Sequence, residues 1–419
     1  MSNANQYLGV NSIPLDKLDV SDPKIFQNDC WQPHFARLRE ESPVHYLADS
    51  VNGPFWSVTS HQLIKEVDTN HQIFSSEEKG IAIVDPYVAE EGQIQGKNFI
   101  AMDEPEHMQQ RKAVAPTVQP RNLAELEPVI RERAIDILEK LPVGETFNWV
   151  QEVSIELTAR MLATLLDFPY EDRHKLVHWS DLATNVPEVT GDSSIDMKER
   201  YDELLGAAAA FYQLWVAKQG QPPTFDLISM LQHNDATARM NEDPELFLGN
   251  LLLLIVGGND TTRNSISGGV IALNEYPEEY QKLRDNPGLI PNMVAEIVRW
   301  QTPVIHMRRT ALSDYELGGK QIKAGDKVVM WYLSGNRDET VFENADRLII
   351  DRPNARGHVA FGFGVHRCMG NRLAEMQLRV LWEEILKRFH AVEVVGEVER
   401  LPNNFIRGIK NVPVRLVPK

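Results

Sequence analysis

The sequence predicts a mainly α-helical fold with small β-sheets. From about residue 104 to 300, apolar residues recur at helical spacing, as in AELEPVIRERAIDILEKL and VQEVSIELTARMLATLL. Short β-like segments with glycine turns lie on either side of this helix-rich middle: a hairpin over residues 44–60, then TPVIHMRRTAL, VAFGFG and NVPVRLV in the last third. No low-complexity linker divides the sequence, so we expect residues 1–419 to form a single domain.

Composition excludes several classes of protein. With 43 Lys and Arg residues against 60 Asp and Glu, the formal net charge is −17, which argues against a nucleic-acid binder or a polybasic membrane-surface protein. The apolar run Leu251–Val256 is far shorter than the roughly 20 residues that a bilayer span needs. The first residues lack the charged and apolar regions of a secretory signal. We therefore expect a cytoplasmic protein with no membrane span and no nucleic-acid partner.

The chain has two cysteines, Cys30 and Cys368, which excludes a disulfide framework and a zinc site of several thiolates. Cys368 follows a segment in which Gly362 and Gly364 permit a tight turn, and it precedes a predicted helix over residues 370–389. Backbone N–H groups at a helix start favour a thiolate, which is a soft metal ligand. The alternative for such a residue is a buried, unreactive cysteine.

A second predicted helix is unusually long. Asp243 is a suitable N-cap and Pro244 a suitable first residue, and the helical pattern then continues to about Glu275. Near its centre lies GGNDTT, residues 257–262, in which every residue is a poor helix former. This segment indicates either a local distortion with a functional use, or close packing at the glycines with a threonine bonded to a backbone carbonyl.

Together these motifs resemble the cytochrome P450 superfamily. Its signature Phe-x-x-Gly-x-x-x-Cys-x-Gly is matched at residues 361–370, and its Glu-x-x-Arg pair at residues 296–299. The segment HMQQR, residues 107–111, resembles the helix that holds a haem propionate, and residues 257–262 resemble the oxygen-binding part of the central helix. The resemblance runs from about residue 20 to the C-terminus.

The resemblance implies a haem-thiolate monooxygenase with the haem between the long central helix and the helix that follows the cysteine turn. The cofactor would be haem b held non-covalently, because no Cys-x-x-Cys-His motif for covalent attachment is present. Cys368 would be the axial ligand of the iron, Asp260 and Thr261 would deliver protons, and Gly257 and Gly258 would leave room beside the iron. The other implied residues are Phe361, Gly362 and Gly370 around the haem, His107, Arg111, Arg308 and His366 at its propionates, and Glu296, Arg299 and Arg352 in a structural ion cluster.

Three strings resemble the bacterial branch that hydroxylates medium-chain alkanes and fatty acids at the chain end: NFIAMDEPEHMQQRKAVAP, IVGGNDTTRNSISGG and GFGVHRCMGNRLAEMQ. They are also similar to enzymes that act on sterol side chains, branched lipids or terpenoids. Residues 76–101, with three glycines, are expected to form a long functional loop. The predicted substrate contacts are all apolar: Ile83, Val84, Ile100, Leu253, Val256, Val304, Ile305, Phe405 and Ile406.

Electrons must come from outside, because the chain has no flavin or nicotinamide domain. The resemblance implies an iron–sulfur ferredoxin and its NAD(P)H-dependent reductase, with O2 and an apolar small molecule as substrates. A basic set on the cysteine side, Arg111, Lys112, Arg372 and Arg379, is the predicted docking region. A peroxide-driven peroxygenase and a haem-thiolate carrier or sensor are the alternatives, and the Asp260-Thr261 pair argues against both.

Overall fold

The computed structural model describes residues 7–85 and 96–419. Part of the predicted 76–101 loop lies outside the described residues. The α-helices, in chain order, are α1 (Tyr7–Val10), α2 (Pro23–Gln27), α3 (Gln32–Glu41), α4 (His61–Thr69), α5 (Glu106–Val114), α6 (Pro120–Glu139), α7 (Glu156–Leu166), α8 (Arg173–Thr184), α9 (Pro187–Thr190), α10 (Met197–Lys218), α11 (Leu227–Gln232), α12 (Pro244–Glu275), α13 (Pro277–Asp285), α14 (Ile290–Gln301), α15 (Tyr332–Gly335) and α16 (Asn371–Arg388).

Strands form small sheets at the edge of this helical body. They are β1 (Val44–Leu47), β2 (Phe55–Val58), β3 (Phe74–Ser75), β4 (Thr146–Asn148), β5 (Met307–Ala311), β6 (Tyr315–Leu317), β7 (Lys320–Ile322), β8 (Lys327–Met330), β9 (Phe389–Val394), β10 (Glu399–Arg400), β11 (Ile409–Asn411) and β12 (Pro413–Pro418). The largest sheet has the order β1-β2-β8-β5-β3, and only its β2–β8 pair is parallel. The mainly α fold with small sheets is confirmed.

The helix α12 crosses the centre of the protein. The Asp243 side chain accepts hydrogen bonds from the first-turn N–H groups of Glu245 and Leu246, as expected of an N-cap. At about 1.5 Å per residue, its 32 residues span about 48 Å. It packs against α7, α8, α14 and α16. The helix is uninterrupted across residues 257–262, so the local distortion, one of the two predicted alternatives, is not seen.

The cysteine segment approaches α12 from the other side. The segment VAFGFG was predicted to be β-like, and this prediction is wrong, because residues 359–363 form an irregular turn that leads into a 3₁₀ turn over Gly364–His366. Gly362 and Gly364 have φ values of 66° and 65°, in the left-handed region that favours glycine. A repeated left-handed conformation cannot continue a strand, so the chain turns here and enters α16.

The core beside α12 is apolar and continuous along α6, α7, α14 and α16. Within the described residues, no helix combines the length and the apolar character needed to cross a bilayer.

Candidate active site

A cavity of about 1470 Å³ lies between α12 and the cysteine segment. This volume exceeds the roughly 300–1,000 Å³ of an ordinary small-molecule pocket. Its other walls come from α5, from the loops on both sides of residues 86–95, from β5, and from the turn at residues 405–406. Because α12 and the cysteine segment belong to different parts of the chain, the cavity exists only in the folded protein.

Cys368 lines the cavity, and its backbone N–H donates to the carbonyl of Phe361 over 2.7 Å, which closes the turn. Burial raises the pKa of the Cys368 thiol, while the N–H groups of Gly370 and Asn371 and the guanidinium of Arg111 lower it. The helix start therefore acts on the sulfur as the sequence predicted, but burial outweighs it. A metal ion bound to the sulfur would lower the pKa of the thiol and favour the thiolate.

The two glycines of the turn rest on the end of α4. A Cβ atom at Gly364 would lie 2.3 Å from the carbonyl oxygen of Asp68, and one at Gly362 would lie 3.3 Å from the hydroxyl oxygen of Tyr332. A contact of 2.3 Å with backbone is impossible for a side chain, so this close approach requires glycine at position 364. The position of Cys368 thus depends on the packing of the turn against α4.

Two histidines and two arginines meet at one end of the cavity. The rings of His107 and His366 lie 4.0 Å apart between centroids, and Arg111 and Arg309 line the same wall. Burial, followed by the charge of Arg309, lowers the pKa of His366 to about 2, and burial also lowers the pKa of His107. The positive charge at this end therefore comes from the arginines, and the imidazoles are neutral hydrogen-bonding groups.

Arg308 was predicted to share this wall, and the structure contradicts that prediction. Successive side chains of a strand point to opposite faces. In β5, Met307 and Arg309 face the cavity, whereas Arg308 donates to the carboxylate of Asp85 over 2.7 Å on the other face. Arg309 therefore takes the position assigned to Arg308, and the adjacent pair of arginines gave no signal for choosing between them.

On α12, the residues of the GGNDTT segment differ in whether they border free space in the cavity or pack against another helix. Thr261 lines the cavity and donates to the carbonyl of Gly257 over 3.0 Å, as the packing alternative predicts. Gly257 has open space around its Cα, whereas a Cβ at Gly258 would lie 2.7 Å from a methyl group of Leu162. Only Gly257 leaves free room, and Gly258 is a packing position.

Asp260 points away from the cavity and is fully buried. Its carboxylate pairs with Arg263 over 2.8 Å, and Arg263 also binds Asp181, whose side chain is 41% exposed. Thr184 donates to the second oxygen of Asp260 over 3.3 Å. Burial raises the pKa of Asp260, and the charge of Arg263 opposes this rise. The chain of charged groups connects the centre of α12 to the surface.

Glu296, Arg299 and Arg352 lie together in the core behind the cysteine segment. Arg299 donates twice to the Glu296 carboxylate, each over 2.7 Å, and Arg352 donates to it over 3.0 Å. All three side chains are 3% exposed or less. The two arginines also donate to backbone carbonyls between residues 336 and 347, so the cluster fixes the chain that leads to the cysteine turn.

The rest of the cavity wall is largely apolar. Seven of the nine predicted contacts lie on it: Val84, Ile100, Leu253, Val256, Val304, Phe405 and Ile406. The predictions for Ile83 and Ile305 are not supported, because both side chains pack instead in the separate apolar cluster around Trp331. The neighbouring Val304 lines the cavity, whereas Val84 lines the cavity and also packs against that apolar cluster.

Sequence reasoning missed several residues of the wall. Ile81, Ala82, Leu252 and Met307 line it, and so do side chains of α7 and α10. Met307 lies two positions from Arg309 and therefore on the same face of β5, so it could be inferred only once Arg309 was known to face the cavity. Nothing in the sequence indicated the contributions of α7 and α10.

The side chains present fit a bound haem. Nε2 of His107 and Nδ1 of His366 are buried without a hydrogen-bond partner, and they lie beside Arg111 and Arg309, as two carboxylates would require. A cysteine opens onto the same cavity. No three His, Cys, Asp or Glu side chains of the described residues group together as a metal site. A single thiolate is one of the ligands that can hold a haem iron.

Comparison with known proteins agrees with this geometry. Residues 288–414 match the family described as Cytochrome P450. The linalool 8-monooxygenase of Pseudomonas putida is 38% identical over 422 residues, which cover 97% of this chain and 100% of that protein.

The chain belongs to the cytochrome P450 family.

The P450 is also similar to solved and curated relatives over almost its whole length. The structure of CYP153D17 from Sphingomonas sp. PAMC 26605 is 47% identical, covers 96% of this chain and 100% of its own, and superposes with a TM-score of 0.90. The steroid C26-monooxygenase of Mycobacterium tuberculosis (strain ATCC 25618 / H37Rv) is 34% identical over 412 residues, which cover 94% of this chain and 91% of that protein. The protein is therefore a monooxygenase that uses O2 and non-covalent haem b and receives electrons from redox partners.

Proposed function

We propose that this P450 hydroxylates medium-chain alkanes or fatty acids at the terminal carbon, with electrons from a ferredoxin. The observation that carries the proposal is the apolar part of the cavity wall formed by Val304, Phe405 and Ile406. The segments around residues 303–305 and 405–407 pair through backbone bonds, Ile305 N–H to Phe405 carbonyl over 2.8 Å and Arg407 N–H to Pro303 carbonyl over 2.8 Å. This pairing presents Val304, Phe405 and Ile406 together. Such a wall offers a hydrocarbon chain apolar contact and no hydrogen bond.

Attack at the chain end requires selection by shape, because terminal C–H bonds are stronger than internal ones. A branched residue such as Val304 or Val256 would restrict the space beside the iron, so that a chain could reach it only with its end first. Each buried methylene contributes about 0.8 kcal/mol to binding, so affinity is expected to rise with chain length until the cavity is full.

A second candidate is oxidation of a terpenoid or of a sterol side chain. Two relatives are named for carbon 8 of linalool and carbon 26 of a steroid. In standard numbering both positions are methyl carbons at the end of an acyclic chain. This supports selection of a chain end in either case, and the size and shape of the substrate distinguish the candidates.

The first prediction concerns regioselectivity. Val304→Ala removes two methyl groups from the wall, so the product from octane is expected to shift toward the penultimate alcohol, by several-fold in the ratio of the two alcohols. Ile305→Val is the matched control, because Ile305 is buried outside the cavity, and it should leave the ratio unchanged. Gas chromatography of products from octane, a medium-chain fatty acid, linalool and a sterol gives the ratios.

Mainly internal alcohols from the wild-type enzyme would contradict terminal selection. Turnover of linalool or of a sterol, with no turnover of a linear chain, would instead favour the second candidate.

The proposed site residues follow from the cavity. Cys368 would hold the haem iron, with Phe361, Gly362 and Gly370 around it, and Arg111, Arg309, His107 and His366 would bind the two propionates. When bound there, haem supplies the activation of O2, favoured by the electron-rich thiolate. The protein supplies orientation, exclusion of water and protons.

Protons would reach the cavity through α12. Asp260 is joined by Arg263 to Asp181, which is partly exposed, and the residue after Asp260, Thr261, lines the cavity. Arg263 forms ion pairs with both Asp260 and Asp181. Rotation of the Asp260 side chain toward the cavity would bring in a proton without admitting bulk water. Thr261 would hold the last proton donor near the reacting oxygen.

The second prediction tests this route. Asp260→Asn is expected to slow reductant consumption and product formation together, by roughly 10²-fold, because the relay is lost. Thr261→Ala should continue to consume reductant while product falls and hydrogen peroxide appears. Thr164→Ala is the matched control, since Thr164 makes the same bond to the carbonyl four residues earlier but does not line the cavity. A wild-type turnover rate in Asp260→Asn, together with wild-type coupling in Thr261→Ala, would make these residues packing features.

Of the four basic residues predicted to bind the ferredoxin, two are already engaged within the protein. Arg379 is neutralised by Glu127 and Glu383, at 2.7 and 2.8 Å, and Arg111 is directed inward to the carbonyl of Arg367. Lys112 and Arg372 remain exposed on the cysteine side. We propose that these two cations receive an acidic partner, which attraction between opposite charges would guide to this face.

A further inference from the structure

The C-terminal turn of α4 contains a buried carboxylate that the function described so far does not use. Asp68 is 2% exposed and lies next to the last residue of the helix. Two effects disfavour a negative charge there: burial removes its hydration, and the C-terminal end of a helix is the negative end of its dipole. No basic residue occupies the last turn of α4 to offset this.

Three donors from separate parts of the chain converge on Asp68. Its Oδ1 accepts from the Arg309 guanidinium over 3.0 Å, and its Oδ2 accepts from the Tyr332 hydroxyl over 2.8 Å and from the backbone N–H of Phe363 over 2.9 Å. Arg309 and Tyr332 are each 3% exposed. Burial raises the pKa of Asp68, and Arg309 opposes this most strongly. Both oxygens therefore face donors, which is the environment of an ionised carboxylate.

The contacts of Asp68 connect two parts of the haem site. Arg309 lines the propionate end of the cavity, and Phe363 belongs to the turn that precedes Cys368. The glycines of that turn lie directly against Asp68: a Cβ atom added at Gly362 would lie 3.5 Å from its carboxylate. A change of charge at Asp68 would thus alter the charge balance of the site, and a change of its shape would move the turn.

We propose that Asp68 is a positioning residue that balances the charge of Arg309 and thereby keeps the reduction potential of the haem iron low. The physical reason is electrostatic. Reduction of ferric to ferrous iron lowers the positive charge of the site by one, so loss of a negative charge nearby favours the reduced form. Ionised Asp68 offsets the charge of Arg309 and so makes the site one unit less positive than a neutral residue at this position would.

The test measures the haem reduction potential by spectroelectrochemical titration of the purified holoenzyme without substrate. Asp68→Asn keeps the size of the side chain but removes its charge, so the potential is expected to shift to a more positive value. Tyr332→Phe removes one hydrogen bond to the carboxylate and keeps its charge, and a much smaller shift is expected. The double variant Asp68→Asn/Arg309→Gln removes both charges and is expected to return close to the wild-type potential.

The proposal rests on the haem site at Cys368 but not on the identity of the substrate. The carbon monoxide spectrum of the reduced protein separates the two: a red-shifted thiolate band with an unchanged potential in Asp68→Asn would overturn the role of Asp68 and leave the haem site intact. Equal shifts in Asp68→Asn and Tyr332→Phe would also overturn it. If Asp68→Asn does not retain haem, the double variant decides. A near wild-type potential in the double variant supports charge balance, whereas loss of haem from the double variant as well would mean that Asp68 has only a structural role.

Discussion

Replacement of Cys368 by serine is expected to abolish monooxygenase activity. A serine hydroxyl at this position is a much weaker ligand than a thiolate and cannot supply the electron density that a thiolate gives to the iron. The reduced protein with carbon monoxide should lose the strongly red-shifted Soret band of thiolate ligation, and product formation should fall to the background rate. The absorption spectrum and turnover with a reconstituted ferredoxin chain measure both effects.

Cys30→Ser is the matched control, since the chain has only these two cysteines. Cys30 is half-buried and belongs to the apolar cluster around Trp331, away from the cavity. It should leave the spectrum and the rate unchanged. A thiolate band that survives in Cys368→Ser, or disappears in Cys30→Ser, would contradict the assignment of the ligand.

Features that depend on residue type and local spacing could be predicted from the sequence. The bounds of α12 followed from Asp243, Pro244 and the end of the periodic pattern, and the structure places the helix at Pro244–Glu275. The approach of Glu296 to Arg299 followed from their spacing of one helical turn. In each case the information lies within a few residues, so no knowledge of the tertiary fold was needed.

Features that depend on the direction of a side chain in irregular or extended chain were harder to predict. Arg308 and Arg309 are chemically identical, and the sheet alone decides which of them faces the cavity. Ile83 and Ile305 are likewise turned away from the wall, because both pack in the apolar cluster around Trp331. Asp68 could not be recognised at all, because its three partners come from parts of the chain 241 to 295 residues away.

The site thus has two parts: a frame, which holds Cys368 in place and could be predicted, and a cavity wall, which surrounds the substrate space and could be predicted only in part. The Glu296 cluster, the glycine turn and α12 define where Cys368 lies, and each is carried by a motif with fixed spacing. The wall around the substrate space is assembled from loops, α7 and α10, and no motif of fixed spacing links their side chains. Substitution in the wall should therefore change selectivity at small cost, whereas substitution in the frame should affect the whole enzyme.

Loss of charge at Glu296 should have such a global effect. Glu296→Gln preserves the size of the side chain but leaves the guanidinium groups of Arg299 and Arg352 buried without a counter-charge. The free energy of unfolding is expected to fall by about 3–5 kcal/mol, the usual cost of removing one partner from a buried ion pair. Glu296 also accepts the N–H of Ile349 over 2.9 Å, so the chain before the cysteine turn should loosen and haem retention should fall.

The matched control is Glu242→Gln, because Glu242 forms an ion pair with Arg239 in which both side chains are more than half exposed. Exposed pairs gain little from their attraction, since water solvates both charges, so this variant should unfold at the wild-type denaturant concentration. Chemical denaturation of the two variants, followed by far-UV circular dichroism, gives the comparison, and haem absorbance gives retention. Equal midpoints for Glu296→Gln, Glu242→Gln and the wild type would mean that solvent or local rearrangement compensates the two arginines, and the cluster would then not be the element that holds the cysteine turn.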